Sequence, residues 1–154
     1  MTFNSEAETA RFAAGLGAIL RPGDTVLLEG DIGAGKTFLA RALIQSLQDR
    51  PEDVPSPTFT LVQTYETRAG EVWHSDLYRV GSTDELEELG LFDAFETAIC
   101  LVEWPDRLGE QAPRDSLHLK MTADPYDIDR RRVTLEWCDE KWDTRLVGMK
   151  DPMT

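Results

Sequence analysis

The sequence predicts a three-layer α/β sandwich whose sheet is mixed, parallel around one loop and antiparallel elsewhere. A strand-like apolar run, a glycine-rich loop and a helix-like segment follow one another in residues 25–48, the order of a parallel α/β unit. Two strand-like runs within residues 58–80 are separated by a short turn containing Gly70, which indicates an antiparallel hairpin. Five consecutive apolar residues at 98–102 are typical of a parallel strand buried on both faces.

The first helix is expected to begin after Ser5. Ser5 and Glu8 have the spacing of a capping box. Apolar side chains then recur at helical spacing, at Phe12, Leu16, Ile19 and Leu20. Because proline and glycine follow, we expect the helix to end near residues 21–23.

Proline content separates the second helix, which ends near Gln48, from the hairpin. Residues 49–57 contain three prolines, which a helix interior does not tolerate, so this segment is predicted to be a surface loop. The two hairpin strands are predicted at 58–66 and 71–80, joined by a turn at 67–70.

The remaining elements are short. An acidic helix is predicted from Ser82 or Thr83 to Gly90, followed by a helical turn at 92–97. After the buried strand at 98–102, residues 116–122 and 132–138 alternate apolar and polar side chains, as strands with one exposed face do.

The length of 154 residues is that of one domain. Residues 1–146 are assigned to this domain, and residues 147–154, which lack periodicity, are expected to form a disordered tail. With no apolar run of membrane length and a polar, acidic N-terminus, the protein is expected to be cytoplasmic, with no contact to a membrane. Cys100 and Cys138 have no metal-site spacing and are expected to be buried thiols in a reducing compartment.

The formal net charge of −13 argues against direct binding to DNA or RNA, because such binding depends on neutralising phosphates. The one basic cluster, Arg130 to Arg132, follows Asp124, Asp127 and Asp129. We therefore expect a solvated turn whose charges largely cancel. Any role in RNA chemistry is expected to pass through another protein.

Residues 30–37 carry the strongest functional signal. They read Gly-Asp-Ile-Gly-Ala-Gly-Lys-Thr, which matches the phosphate-binding pattern G-x-x-x-x-G-K-[ST] between a strand and a helix. Gly30, Gly33 and Gly35 allow positive φ angles and a close approach to phosphate oxygens. Lys36 is predicted to contact the terminal phosphates, and the Thr37 hydroxyl to coordinate Mg²⁺. The predicted nucleotide contacts are Asp31, Ile32, Gly33, Ala34, Gly35, Lys36, Thr37 and Phe38.

Two acids are candidates to complete this site. Glu103 ends the buried strand at 98–102, where a second metal carboxylate is expected beside a phosphate loop. His74, Asp76 and Tyr78 are spaced by two, so on a strand they share one face. We therefore select Asp76 as a metal or water contact, with His74 as a further candidate. Arg79 could either contact a phosphate or form an ion pair with a nearby acid.

Four motifs, in this order, resemble the TsaE (YjeE) family: the loop at 30–37, Ser-Pro-Thr-Phe-Thr-Leu at 56–61, His-Ser-Asp-Leu-Tyr-Arg at 74–79 and Cys-Leu-Val-Glu-Trp-Pro at 100–105. The resemblance covers residues 5–110 and implies a P-loop NTPase fold. It also implies an ATPase that acts with the TsaB–TsaD heterodimer in threonylcarbamoylation of the tRNA adenosine next to the anticodon. Contact with tRNA would be indirect, through these partners.

The resemblance also implies residue roles. Lys36 would contact phosphate, Thr37 and Glu103 would hold Mg²⁺, and Asp76 would lie close to the metal and the attacking water. Thr60 resembles a residue of the nucleotide-sensing switch segment, and Trp104 the neighbour of the acid. Phe38 departs from the family pattern, which often has a second Thr there, and this predicts weaker nucleotide binding.

The sequence leaves three other functions open. A small-molecule kinase would need an acceptor pocket and an arginine-rich lid, whereas the corresponding region here is a hairpin. A GTPase would carry an Asn/Thr-Lys-x-Asp motif, and the nearest string, at 140–143, begins with Glu. An assembly factor could bind ATP without productive hydrolysis. Because no arginine finger is evident in the sequence, hydrolysis by the isolated protein is expected to be slow, and the choice between Asp76 and Glu103 as the residue that orients water stays open.

Overall fold

The computed structural model describes residues 1–55, 57, 61–147 and 149. Its strands are β1 (Thr2–Phe3), β2 (Thr25–Glu29), β3 (Val62–Thr67), β4 (Gly70–Asp76), β5 (Ile99–Glu103), β6 (Leu117–Ala123) and β7 (Arg131–Glu136). Its helices are α1 (Glu6–Ile19), α2 (Lys36–Ser46), α3 (Thr83–Glu88), α4 (Leu91–Thr97) and α5 (Lys141–Val147), with a 3-10 helical segment at Pro105–Gln111.

The described strands form one mixed sheet in the order β1-β7-β6-β2-β5-β4-β3. The central strand β2 pairs in parallel with β5 and β6, and β4 pairs in parallel with β5. The outer pairs, β3 with β4, β6 with β7 and β1 with β7, are antiparallel. The predicted mixed sheet, parallel around the loop and antiparallel elsewhere, is therefore confirmed.

Two apolar cores cover opposite faces of the sheet. Leu28 and Leu101 belong to the larger core, which includes the buried faces of α1 and α2, whereas Leu27 and Val102 belong to the smaller core with α3 and α4. Side chains alternate between faces along a strand, so the apolar runs of β2 and β5 serve both cores. This arrangement gives the three predicted layers.

The first helix follows its capping signal closely. The Ser5 hydroxyl accepts a hydrogen bond from the backbone N–H of Glu8 at 3.2 Å, which satisfies one of the free N–H groups of the first turn. The helix ends at Ile19, just before the predicted boundary. Residues 49–55 form the expected loop, although Val54 is fully buried.

The hairpin strands are shorter than predicted. The first begins at Val62, and residues 58–60 of the predicted strand lie outside the described part of the chain. The second ends at Asp76, because the Asp76 carboxylate accepts a hydrogen bond from the Tyr78 N–H at 3.0 Å and turns the chain. Tyr78 therefore does not share a strand face with His74 and Asp76, which corrects that expectation.

Two elements had no signal in the sequence. The two-residue strand β1 is too short for a periodic pattern, and α5 has one fully buried apolar residue, Trp142. The predicted tail begins at Val147, which is the last residue of α5, and Met149 is half-buried; the rest of the tail lies outside the described residues.

Cys138 is exposed, not buried as expected, since β7 ends at Glu136. Among the described residues, no helix has the length and apolar content needed to cross a membrane.

Candidate nucleotide site

The loop at residues 30–37, called here the phosphate loop, joins the central strand to a helix as predicted. It leaves β2 after Glu29, and its last two residues, Lys36 and Thr37, form the start of α2. Gly35 is the N-cap residue in a left-handed conformation, and no side chain caps the helix within the described part of the chain. The N–H groups of the first turn are thus available to an anion.

Glycine is required at two positions of the phosphate loop for different reasons. Gly35 has φ of 100°, a conformation that L side chains rarely adopt. At Gly30 a Cβ would overlap the backbone carbonyl oxygen of Met121 on β6. The loop can therefore lie against the neighbouring strand only with glycine at its start. The predicted positive φ of Gly33 is also present, at 85°.

A cavity of about 430 Å³ opens beside the phosphate loop. Its lining includes Gly33, Lys36, Thr37, Phe38, Asp76 and Glu103. The cavity lies at the carboxyl ends of parallel strands, which is where open α/β sheets bind ligands. Its volume is within the range of small-molecule sites.

Asp76 and Glu103 lie side by side in this cavity. They are register partners on the parallel strands β4 and β5, and both are buried, with 7% and 2% exposure. The Thr37 hydroxyl lies 2.9 Å and 3.1 Å from the two carboxylate oxygens of Glu103. Residues that are far apart in sequence thus place one hydroxyl and two carboxyl groups around the start of α2.

His74 lies behind Glu103 and does not line the cavity. Its Nε2 atom is 2.7 Å from the Glu103 carboxylate, and the imidazole is fully buried. The structure therefore does not place His74 where it could contact a metal or water in the cavity directly. Sequence spacing placed His74 on the same face as Asp76 but gave no indication that Glu103 is its partner.

Lys36 is held at the floor of the cavity. Its ammonium group donates to the carbonyl oxygen of Gly30 and lies 3.6 Å from the ring centroid of Trp104, a cation–π contact. Burial lowers the pKa of Lys36, an effect that the charges of Glu103 and Asp76 partly oppose. A nearby anion would favour the charged form.

Trp104 and Tyr78 form an aromatic edge of the cavity. Their ring centroids are 4.9 Å apart, and Tyr78 is 44% exposed. Trp104 has a left-handed φ of 58°, a conformation rare for a bulky residue and often found at functional sites. Arg79 also lines the cavity. The sequence had left open whether Arg79 contacts a phosphate or pairs with a nearby acid.

Sequence reasoning missed Arg131, which lies on the other side of the phosphate loop. A Cβ placed on Gly35 would be 3.3 Å from the Nε atom of Arg131. A second, smaller cavity here is lined by Glu6, Thr9, Gly35, Phe38, Asp129 and Arg131. Nothing in the sequence indicates this contact, because it depends on the packing of β7 and α1 around the loop. The neighbouring Arg130 does pair with Asp124 at 3.5 Å, as its surroundings suggested.

The donor atoms of the cavity suit Mg²⁺ that is shared with a nucleotide. The described residues contain no group of three His, Cys, Asp or Glu side chains that could hold a metal by themselves. Mg²⁺ in phosphate-transfer sites takes one or two carboxylates, with phosphate and water oxygens completing its shell. The hydroxyl and carboxylate oxygens of Thr37, Asp76 and Glu103 fit that requirement. Most of the proposed switch segment, including Thr60, lies outside the described residues.

Comparison with known proteins identifies relatives that match most of this chain. The family model described as "Threonylcarbamoyl adenosine biosynthesis protein TsaE" matches residues 3–133. The tRNA threonylcarbamoyladenosine biosynthesis protein TsaE of Rickettsia bellii is 40% identical over 128 residues, covering 83% of this chain and 88% of the relative. The protein of the same name from Bacillus subtilis is 38% identical over 136 residues, covering 86% and 81%.

A solved structure extends the similarity to the fold. The crystal structure of YdiB from Bacillus subtilis superposes with a TM-score of 0.76 at 26% sequence identity, covering 97% of this chain and 91% of YdiB. The residues matched by the family model include the phosphate loop, Asp76, Glu103 and Arg131. The chain belongs to the TsaE family.

Proposed function

We propose that this protein is an ATPase of tRNA threonylcarbamoyladenosine biosynthesis. One observation carries the proposal: the start of α2 brings Lys36 and Thr37 against Asp76 and Glu103 at the ends of β4 and β5. This combination supplies a cation for phosphate, oxygen ligands for a divalent metal and a carboxylate that can orient water. The names of the relatives supply the process, the modification of tRNA.

Each residue has a proposed role in binding ATP. The backbone of residues 31–38 would surround the phosphates, and Lys36 would neutralise their charge as it moves from the Gly30 carbonyl. Thr37 and Glu103 would hold Mg²⁺, which neutralises charge on the phosphates when bound. Phe38 lines both cavities, so it would lie close to a bound nucleotide.

The two acids are proposed to have different roles. Glu103 contacts the Thr37 hydroxyl directly, which supports its assignment to the metal. Asp76 lies beside it, has 7% exposure and lines the cavity. We therefore propose that Asp76 orients the attacking water, with a secondary contact to the metal.

Partners are proposed to control the rate. Arg79 lines the cavity. We propose in addition that ATP is hydrolysed at a contact with TsaB and TsaD, where a partner could add transition-state stabilisation. The formal net charge of −13 supports contact with tRNA only through these proteins. The proposed compartment is the cytoplasm, and no contact with DNA or membrane is proposed.

Reconstituted threonylcarbamoylation tests the proposal. Multiple turnovers by TsaB–TsaD should require this protein and ATP, and Lys36→Ala should abolish the effect. Lys36→Ala should also weaken ATP binding by about 10- to 100-fold, since hydrogen bonds to charged groups contribute roughly 1.5–3 kcal/mol. Arg68→Ala is a matched control, because Arg68 pairs with Asp49 on the surface, away from the cavity.

Three results would contradict the proposal. Equal competition by GTP would argue against an ATP-specific site, and formation of a phosphorylated small molecule would favour a kinase. Rapid hydrolysis by the isolated protein, unchanged by TsaB–TsaD, would exclude partner control. Intact modification with a Glu103→Ala variant that no longer hydrolyses ATP would favour an assembly factor.

A further inference from the structure

His74 has the environment of a residue that acts on a neighbouring side chain. It lies on β4 with 0% exposure. On the same strand face, Asp76 is two residues further along and does line the cavity. His74 is therefore one layer below the groups that could contact a ligand.

The side chain of His74 makes a polar contact with a carboxylate oxygen of Glu103. Nε2 lies 2.7 Å from Oε2 of Glu103, whereas Nδ1 is buried and has no hydrogen-bond partner within the described part of the chain. An ionised carboxylate only accepts hydrogen bonds, so Nε2 carries the hydrogen and donates it. The hydrogen bond thereby selects the tautomer of the imidazole.

Glu103 is consequently held from two sides. The Thr37 hydroxyl, at the start of α2, is within 3.1 Å of both carboxylate oxygens, and His74 contacts one of them from the sheet. Burial to 2% exposure makes an unsupported carboxylate costly. Two supports also fix the direction in which the oxygen lone pairs point, and this direction determines where a cation can bind.

We propose that His74 is a positioning residue that fixes the Glu103 carboxylate to receive the divalent cation of a metal–nucleotide complex. This inference rests on the proposed function, because it assumes that ATP binds together with Mg²⁺. Hydrogen-bonding partners of metal ligands typically affect metal affinity by 10- to 100-fold. The role of His74 is therefore measurable as a change in metal requirement, separate from any contact with the nucleotide.

Three substitutions at position 74 separate positioning from packing. His74→Phe keeps an aromatic ring of similar size but removes the donor. His74→Gln places an amide N–H at the same number of bonds from Cβ as Nε2. His74→Asn places its amide only at the level of Nδ1, so it cannot reach Glu103 without a shift. Circular dichroism and thermal unfolding check that each variant is folded.

Titration calorimetry measures how ATP binding depends on the Mg²⁺ concentration. In a second experiment Mn²⁺ replaces Mg²⁺, and electron paramagnetic resonance measures the binding of Mn²⁺. His74→Phe and His74→Asn should raise the metal concentration for half-maximal effect by about 10- to 100-fold. His74→Gln should stay within about threefold of the wild type. ATP affinity in excess EDTA should be unchanged in all three variants.

The outcomes distinguish failure of this inference from failure of the proposed function. Wild-type protein that shows no ATP binding, or binding that Mg²⁺ does not affect, overturns the proposed function and the inference with it. Wild-type protein that requires Mg²⁺ while His74→Phe or His74→Asn shows the same requirement overturns only the role of His74. A His74→Gln variant as impaired as His74→Phe also overturns it, because the donor would then be irrelevant.

Discussion

The hydroxyl of Thr37 and the carboxylate of Glu103, 66 positions apart in the chain, lie 2.9 Å from each other at the nearest oxygens. Thr37 lies in the first turn of α2, and Glu103 ends β5. Because the carboxyl ends of parallel strands meet at one edge of the sheet, the phosphate loop after β2 and the acid ending β5 are brought together. This contact brings together the two side chains that are proposed to hold the metal, at the end of the phosphate loop.

Substitution of Glu103 should mainly affect metal binding, and substitution of Asp76 should mainly affect the rate of ATP hydrolysis. Glu103→Gln should raise the Mg²⁺ requirement for ATP binding, because it removes the carboxylate charge next to Thr37. Asp76→Asn should retain most ATP affinity but lower the hydrolysis rate with TsaB–TsaD by about 10²-fold or more, the range for a group that assists proton transfer. Calorimetry and single-turnover hydrolysis measure the two effects.

The matched control for Asp76→Asn is Asp93→Asn, which removes an exposed carboxylate in α4. It should alter neither binding nor hydrolysis. Opposite behaviour of the two site variants, with Glu103→Gln binding Mg²⁺–ATP normally and Asp76→Asn failing to bind it, would exchange their assigned roles.

Stability of the ligand-free protein should depend on pH through Lys36. Burial lowers the pKa of this residue below 10.5, so the unfolded chain binds more protons between the lowered pKa and 10.5. Stability contributed by this group therefore increases as pH rises through that window. Relative to Lys36→Met, the wild type should gain unfolding free energy as the pH rises towards 10.5, as measured by urea titration without nucleotide and metal. A constant difference between the two proteins would show that Lys36 is not desolvated.

The two cysteines should react at very different rates. Burial raises the pKa of the Cys100 thiol to about 12, so almost no thiolate forms near neutral pH. Cys138 is exposed. A chromogenic disulfide reagent should therefore label one thiol per native chain quickly and the second only after denaturation. Fast labelling of a native Cys138→Ser variant would contradict the buried position of Cys100.

The unpredicted helix α5 should contribute to global stability. Trp142 is fully buried and donates a hydrogen bond from Nε1 to the Asp115 carbonyl at 2.7 Å. Trp142→Ala should lower the free energy of unfolding by about 3–5 kcal/mol, as large aromatic truncations in cores do, measured by urea titration. Trp137→Ala removes a tryptophan with 39% exposure whose Nε1 donates to the Asp143 carboxylate of α5 at 2.7 Å, and its effect should be smaller because the ring is not buried. Equal effects of the two substitutions would mean that α5 does not pack as described.

Local sequence was sufficient wherever one segment carries its own signal. The capping pair at Ser5 and Glu8 located α1, and the glycine spacing located the phosphate loop and the start of α2. The apolar run at 98–102 indicated a strand buried on both faces, and β5 is buried throughout. These features are predictable because backbone conformation, capping and alternation depend on nearby residues.

The sequence by itself determined the fold class, the phosphate loop and the acids Asp76 and Glu103 as candidates. Only the tertiary structure decided that His74 faces Glu103 instead of the cavity, that Tyr78 leaves the strand, and that Arg131 lies against Gly35. Strand order decided these points, because it brings together residues whose separation along the chain gives no periodic signal. A side chain's partner depends on the neighbouring strand, and spacing within its own strand reveals only which face it occupies.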